Sequence, residues 1–224
     1  AVAWTILLGW LHHVTVGGLL LLGPLVGAWV GAWYLAVWWA MPRVRERGPG
    51  WRVLAVVGLA ALWVLGEWTR TWLLGGFPWL PLSASQWQRP ILLQIAAYTG
   101  AWSVSFILIA FNLGIAAYAH RLLTSKETGL RRRSPEFMFA LLLLMFPSFL
   151  LLREMYNQQR REVARLALVQ PYIPKQVKWD PAQGPGILEV LEKLTLAAGA
   201  ERPDLIVWPE AVTPWAVRGD DSAR

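Results

Sequence analysis

Long apolar runs broken by short charged or chain-breaking segments fill the chain up to about residue 152, and ordinary polarity takes over beyond it. A helix that crosses a bilayer needs about 20 mostly apolar residues. On that ground residues 19–41, 53–74, 91–119 and 137–152 are predicted spans, the last short but almost purely apolar. Residues 1–11 are apolar from the first position, with no basic n-region and no small-residue cleavage site, so they read as part of a further span and not as a signal peptide. The final residues, Gly219 to Arg224, stop shortly after an apolar strand pattern, and truncation at both ends is expected.

After a connection at 153–162, residues 163–224 change period. Leu166-Ala167-Leu168-Val169-Gln170 reads as a strand stopped by Pro171 and Pro174. A loop at 172–186 follows, and Ile187, Val190, Leu191, Leu194 and Ala198 then fall on one helical face that Gly199 is expected to close. Leu205 to Trp208 is a second short apolar run, of the kind found in parallel strands buried on both faces. Strand, helix and strand in this span make a βαβ unit and imply a parallel pair. The predicted fold class is an α-helical membrane bundle followed by the start of an α/β domain.

Charge gives the bundle an orientation. Arg43, Arg45, Arg47 and Arg52 crowd one connection, and Arg121, Lys126, Arg131, Arg132 and Arg133 crowd another two spans later, so both fall on one side. The excess of Lys and Arg in short loops marks that side as cytoplasmic, which places the 75–90 connection and everything after residue 152 outside. The net charge of +7 is explained by these loops and not by a basic face on the polar region, which argues against a nucleic-acid partner. Thirteen of the 16 tryptophans occur by Trp102, many near span ends, where amphipathic rings settle at headgroup depth. Glu67 and Arg70 stand three residues apart near one span end, close enough to pair on one helical face.

The chain has no cysteine, so these residues supply no disulfide, thiolate ligand or cysteine nucleophile. His12, His13 and His120 lie at the ends of apolar segments without a ligand-spaced partner, and no metal or other cofactor is implied. Gly184-Pro185-Gly186 lacks the dinucleotide-binding fingerprint. The candidate for chemistry is Glu210: Leu205-Ile206-Val207-Trp208 ends at Pro209, and the next residue offers a carboxylate just past a strand's carboxyl end, where open α/β sheets bind ligands. Taken alone it is also readable as a solvated turn acid.

Three segments together resemble the apolipoprotein N-acyltransferases of the nitrilase (carbon-nitrogen hydrolase) superfamily. Gly76-Phe77-Pro78-Trp79, preceded by Glu67-Trp68 and Arg70, is similar to the family's Gly-Phe-Pro-Trp segment. Val169-Gln170-Pro171-Tyr172-Ile173-Pro174, leading to Lys178-Trp179-Asp180, is similar to the entrance to its nitrilase-like domain. Ile206-Val207-Trp208-Pro209-Glu210 is similar to its catalytic glutamate motif. The resemblance implies an αββα domain outside the bacterial cytoplasmic membrane, with a Glu-Lys-Cys triad that moves an acyl chain from a phospholipid, through a cysteine thioester, to the amino-terminal amine of a diacylglyceryl apolipoprotein. It implies a general base at Glu210 and substrate-binding side chains at Trp179, Phe77 and Trp79. In the family the lysine and cysteine follow the glutamate, whereas Lys175, Lys178 and Lys193 precede Glu210 here, so this polypeptide by itself is expected to be inactive. Two other readings remain open: a membrane-anchored hydrolase or amidase on the same fold, and a non-catalytic membrane protein such as a permease or lipid-binding module.

Overall fold

The computed structural model describes residues 2–124, 134–156, 163–210 and 212–213. The chain divides into two compact units, Ala1–Gln158 and Gln159–Arg224. Lys126, Arg131, Arg132 and Arg133 of the second basic connection, most of the 153–162 connection and the segment after 213 lie outside the described residues.

The first unit is helical. It contains α1 (Val2–Leu7), a 3-10 turn at Gly9–His13, α2 (Val16–Arg45), α3 (Pro49–Thr69), α4 (Pro90–Leu93), α5 (Ala96–Thr99), α6 (Ala101–Thr124) and α7 (Pro135–Tyr156). Thr15 starts α2 by accepting a hydrogen bond from the Gly18 N–H through its side-chain oxygen. Pro49 begins α3, where its missing N–H removes no helical bond. Among the described residues four helices, α2, α3, α6 and α7, are long and apolar enough to cross a membrane.

The apolar run at 91–119 does not form one helix. Gly100 has φ +76°, a left-handed conformation that ends the short α5 and lets α6 start afresh at Ala101. The run is split because apolar character continues through a position where the backbone turns.

Packing centres on α2, α3 and α6, which bury Trp33, Val56, Leu59, Ala60, Ile109, Ala110 and Leu113 together. Trp33 satisfies its indole inside that core by donating to the Leu59 carbonyl at 2.7 Å. A second cluster, Ile95, Val104, Ile107 and Leu150, joins α6 and α7 to the residue between α4 and α5. Close approach of α6 and α7 depends on small side chains: a Cβ on Gly114 would lie 2.8 Å from the Ala140 Cβ. Leu20, Leu21, Trp38, Leu65, Leu142 and Phe149 face outward, as expected of side chains that meet lipid tails.

The second unit contains β1 (Leu166–Leu168), α8 (Lys175–Lys178), a 3-10 turn at Pro181–Gln183, α9 (Gly184–Ala200) and β2 (Leu205–Val207). β1 and β2 are parallel, with Leu166 opposite Leu205, Ala167 opposite Ile206 and Leu168 opposite Val207. Asp204 fixes this register, since its N–H donates to the Arg165 carbonyl while its carboxylate accepts from the Arg165 N–H at 2.7 Å. One face of the pair packs on α9 through Ile206, Ile187, Leu191 and Val169. Leu166, Leu168, Leu205 and Val207 on the other face are exposed among the described residues, where the run of apolar residues predicts burial on both faces. α9 runs past Gly199 to Ala200, and Arg202 at φ 49° makes the left-handed turn expected of the glycine.

Candidate functional site

Two separate groups of residues carry the candidate chemistry, one in each unit. In the first unit, α3 ends at Thr69 and the chain turns through Gly75 (φ +88°) and Gly76 (φ +78°) into the Phe77-Pro78-Trp79 segment. Gly76 is obligatory twice over, since a Cβ there would collide with the Thr71 carbonyl oxygen as well as strain the backbone. The Phe77 N–H then donates to the Arg70 carbonyl at 2.6 Å, which returns the loop onto the end of α3.

Glu67 and Arg70 hold the rest of that loop. Both are almost fully buried, at 5% and 6% exposure, which removes them from the class of solvated surface charges. One carboxylate oxygen of Glu67 accepts from the Leu82 N–H at 2.6 Å and from the Trp63 indole N–H at 3.0 Å. Arg70 donates to the Trp79 carbonyl at 3.4 Å and lies over the Trp4 ring, 5.4 Å from its centroid. No ion pair joins Glu67 to Arg70 among the described residues. Their hydrogen bonds go in parallel to loop backbone, Glu67 to Leu82 and Arg70 to Trp79. Ser83, buried, donates its N–H to the Ser105 hydroxyl on α6 at 3.0 Å and ties the far end of the segment down.

Phe77 is half-buried in the cleft formed with Leu22, Leu25, Val26, Trp29 and Arg70, a cavity of about 200 Å³. Trp79 is exposed and meets Trp10 at a ring-centroid distance of 5.1 Å. Beside this cleft, Trp29, Trp33, Trp63 and Arg70 line a larger apolar cavity of about 450 Å³ between α2 and α3.

In the second unit, β2 ends at Val207 and Trp208-Pro209 leads to Glu210. The strand end is fixed by the Trp208 indole, which donates to the Thr195 hydroxyl on α9 at 3.1 Å; that hydroxyl donates in turn to the Leu191 carbonyl. Glu210 is exposed, and its carboxylate has no hydrogen-bond or ion-pair partner among the described residues. Its main-chain carbonyl accepts from the Lys178 ammonium at 3.3 Å, so Lys178 holds the backbone and leaves the carboxylate to other partners. The same ammonium lies 5.7 Å from the centroid of the Trp179 ring. Trp179 follows the last residue of α8 and is exposed, and Asp180 accepts from the Ala182 N–H to start the next turn. Lys178, Trp179 and the Glu210 backbone are thus brought together.

The Thr195 and Ser105 contacts escape sequence reading, since neither residue belongs to a motif. The Glu67 bond to Leu82 escapes it because its partner is a main-chain N–H. Among the described residues no group of three or more His, Asp or Glu side chains converges as a metal site.

Residues 1–114 match the family model described as the apolipoprotein N-acyltransferase N-terminal domain. The chain is 36% identical over 161 residues to an apolipoprotein N-acyltransferase of Azotobacter vinelandii, which covers 70% of this chain and 29% of that protein. It is 32% identical over 207 residues to one of Pseudomonas aeruginosa, covering 90% of this chain and 37% of the relative. Against one of Geobacter metallireducens it is 29% identical over 180 residues, covering 77% and 32%. The chain spans about a third of the length of the curated relatives it matches.

Proposed function

The chain belongs to the apolipoprotein N-acyltransferase family, and from that premise we propose that it supplies the membrane region and the catalytic base of an enzyme that acylates lipoproteins from phospholipid. The four helices long and apolar enough to cross a membrane among its described residues support a multi-pass membrane protein. The observation that carries the catalytic reading is the place of Glu210, just past the carboxyl end of a parallel strand and held there by Lys178 through its backbone alone.

In this reading Glu210 takes the proton of a cysteine thiol supplied by the protein outside these 224 residues. The thiolate attacks the phospholipid ester carbonyl, an S–C bond forms, the C–O bond breaks, and the lysophospholipid leaves as an alcohol after taking a proton back. The lipoprotein amine then attacks the thioester, Glu210 accepts the amine proton, and the cysteine sulfur leaves and is reprotonated. Trp179, Phe77 and Trp79 contribute apolar ring surface for acyl chain or headgroup. The 224-residue polypeptide holds no cysteine and forms no thioester. Full-length protein given a phospholipid labelled in its acyl chain and a diacylglyceryl peptide is expected to place the label in an amide at the peptide's amino terminus. Label released only as free fatty acid would instead favour the membrane-anchored hydrolase.

The orientation proposed is the bacterial cytoplasmic membrane with the 75–90 loop and the Glu210 unit outside. It is supported by Arg43, Arg45, Arg47, Arg52 and Arg121 at the opposite helix ends. A cysteine placed at Ser85 is expected to react with an impermeant maleimide in intact spheroplasts, and one placed at Thr124 only after lysis. The reverse pattern would invert the topology.

A further inference from the structure

At the helix ends opposite the 75–90 loop, the C-terminal ends of α2 and α6 and the N-terminal ends of α3 and α7 enclose a cavity of about 300 Å³. Arg45, Arg52, His120, Arg121, Thr124 and Glu136 line it. Glu136, 3% exposed, lies 3.6 Å from Arg52 and 3.7 Å from Arg121 and ties α7 to α3 and α6. Arg45 Nη1 lies 2.9 Å from His120 Nε2 and joins α2 to α6. Among the described residues the lining therefore carries three guanidinium groups against one carboxylate, an excess of positive charge in a half-open cleft.

Among the described residues two buried polar atoms of this lining have no hydrogen-bond partner: Arg52 Nε, a donor, and Glu136 Oε2, an acceptor. Burial without a partner is costly; both atoms have almost no accessible surface, so a ligand meets them once the Arg52 and Glu136 side chains turn toward the cavity, and it then satisfies them by bringing an acceptor for the arginine and a donor for the carboxylate. We propose that this cavity binds an anionic phosphodiester bearing a neighbouring hydroxyl, the chemistry of a phosphatidylglycerol headgroup, on the membrane face opposite the loop. The phosphate oxygens accept from the guanidinium groups, and the glycerol hydroxyl donates to Glu136. A choline headgroup has no donor for Glu136. An ethanolamine headgroup has one but brings no net charge to meet the arginines. The cavity sits where the apolar spans end, which is headgroup depth and not the hydrocarbon core.

The test is native mass spectrometry of the full-length protein released from nanodiscs of phosphatidylglycerol, phosphatidylethanolamine and phosphatidylcholine in equal amounts. Phosphatidylglycerol is expected to be retained about fivefold or more over each of the others, and Arg45→Gln to remove most of that preference. Arg45 is exposed at the helix end, and α2 is held to α3 and α6 by the Trp33, Val56, Leu59 and Ile109 core as well as by the His120 contact, so its loss leaves the bundle intact; Arg52→Gln serves as a second variant with the same expected result. Phosphatidylglycerol held elsewhere, as an acyl donor, would not respond to either substitution. Equal retention of the three lipids, or an Arg45→Gln protein with undiminished preference, would overturn the proposal. Displacement of the lipid by millimolar glycerol 3-phosphate would overturn the lipid assignment in favour of a soluble phosphate. None of these outcomes depends on acyl transfer, so the site and the proposed enzyme activity stand or fall separately.

Discussion

Replacing Glu210 with Gln in the full-length protein is expected to lower the rate of peptide acylation about a thousandfold, within the range of roughly 10²–10⁴ that a positioned general base contributes. Gln keeps the size and polarity of the side chain, and the Lys178 bond is to the main-chain carbonyl, so the loop that holds residue 210 is preserved. What is lost is the capacity to take a proton. Under the proposed mechanism both halves of the reaction need that step, so kcat falls and the KM for phospholipid changes little. Asp in place of Glu is expected to recover part of the rate by restoring a base at a shorter reach. Acylation at the normal rate by the Gln variant would return Glu210 to the solvated turn acid that its exposed position also permits.

The second large effect is expected at Glu67. Leu in its place would strip the acceptor from the Leu82 N–H and from the Trp63 indole in one substitution. Each buried donor left without a partner costs about 1–3 kcal/mol, so the loss is roughly 2 kcal/mol or more. The same change removes a buried carboxylate oxygen that is itself unpartnered, which offsets part of this cost. In full-length protein in detergent, the expected result is a Tm lower by about 2 °C and faster proteolysis within the 75–90 segment. Gln at the same position keeps an amide oxygen for Leu82 and should lose less than half as much. Equal stability of the Leu variant and the natural protein would show that the loop is held by its apolar contacts alone.

The span-forming segments were legible because a helix in lipid must be apolar over most of its length, a requirement strong enough to survive without knowledge of its neighbours. Gly100 was not, because the same apolar run continues on both sides of it and nothing in composition distinguishes a helix break from a helical glycine. The parallel pairing of β1 and β2 follows from two short apolar segments flanking an amphipathic helix, but the register and the ends of the strands do not: Asp204 sets the register against Arg165, Val169 beyond β1 is buried on α9, and Trp208 leaves β2 to reach Thr195. Glu67 and Arg70 stood out as charges beside an apolar run. Their spacing pointed to each other, whereas beyond the Trp63 indole one turn away from Glu67 they bond main-chain groups at Leu82 and Trp79 that no side-chain pattern encodes. Motif residues announce a site by type, and the bonds that position them are made largely by backbone.

Acyl-enzyme formation tests the central claim most directly. Full-length protein, incubated with radiolabelled phospholipid and no acceptor, then precipitated, is predicted to carry a hydroxylamine-sensitive acyl thioester on a cysteine outside these 224 residues. The label should pass to a diacylglyceryl peptide when one is added, and the Glu210→Gln protein should remain unlabelled on the same timescale. Labelling of the Gln variant as fast as the natural protein, or an acyl group that never moves to the peptide, would contradict the account.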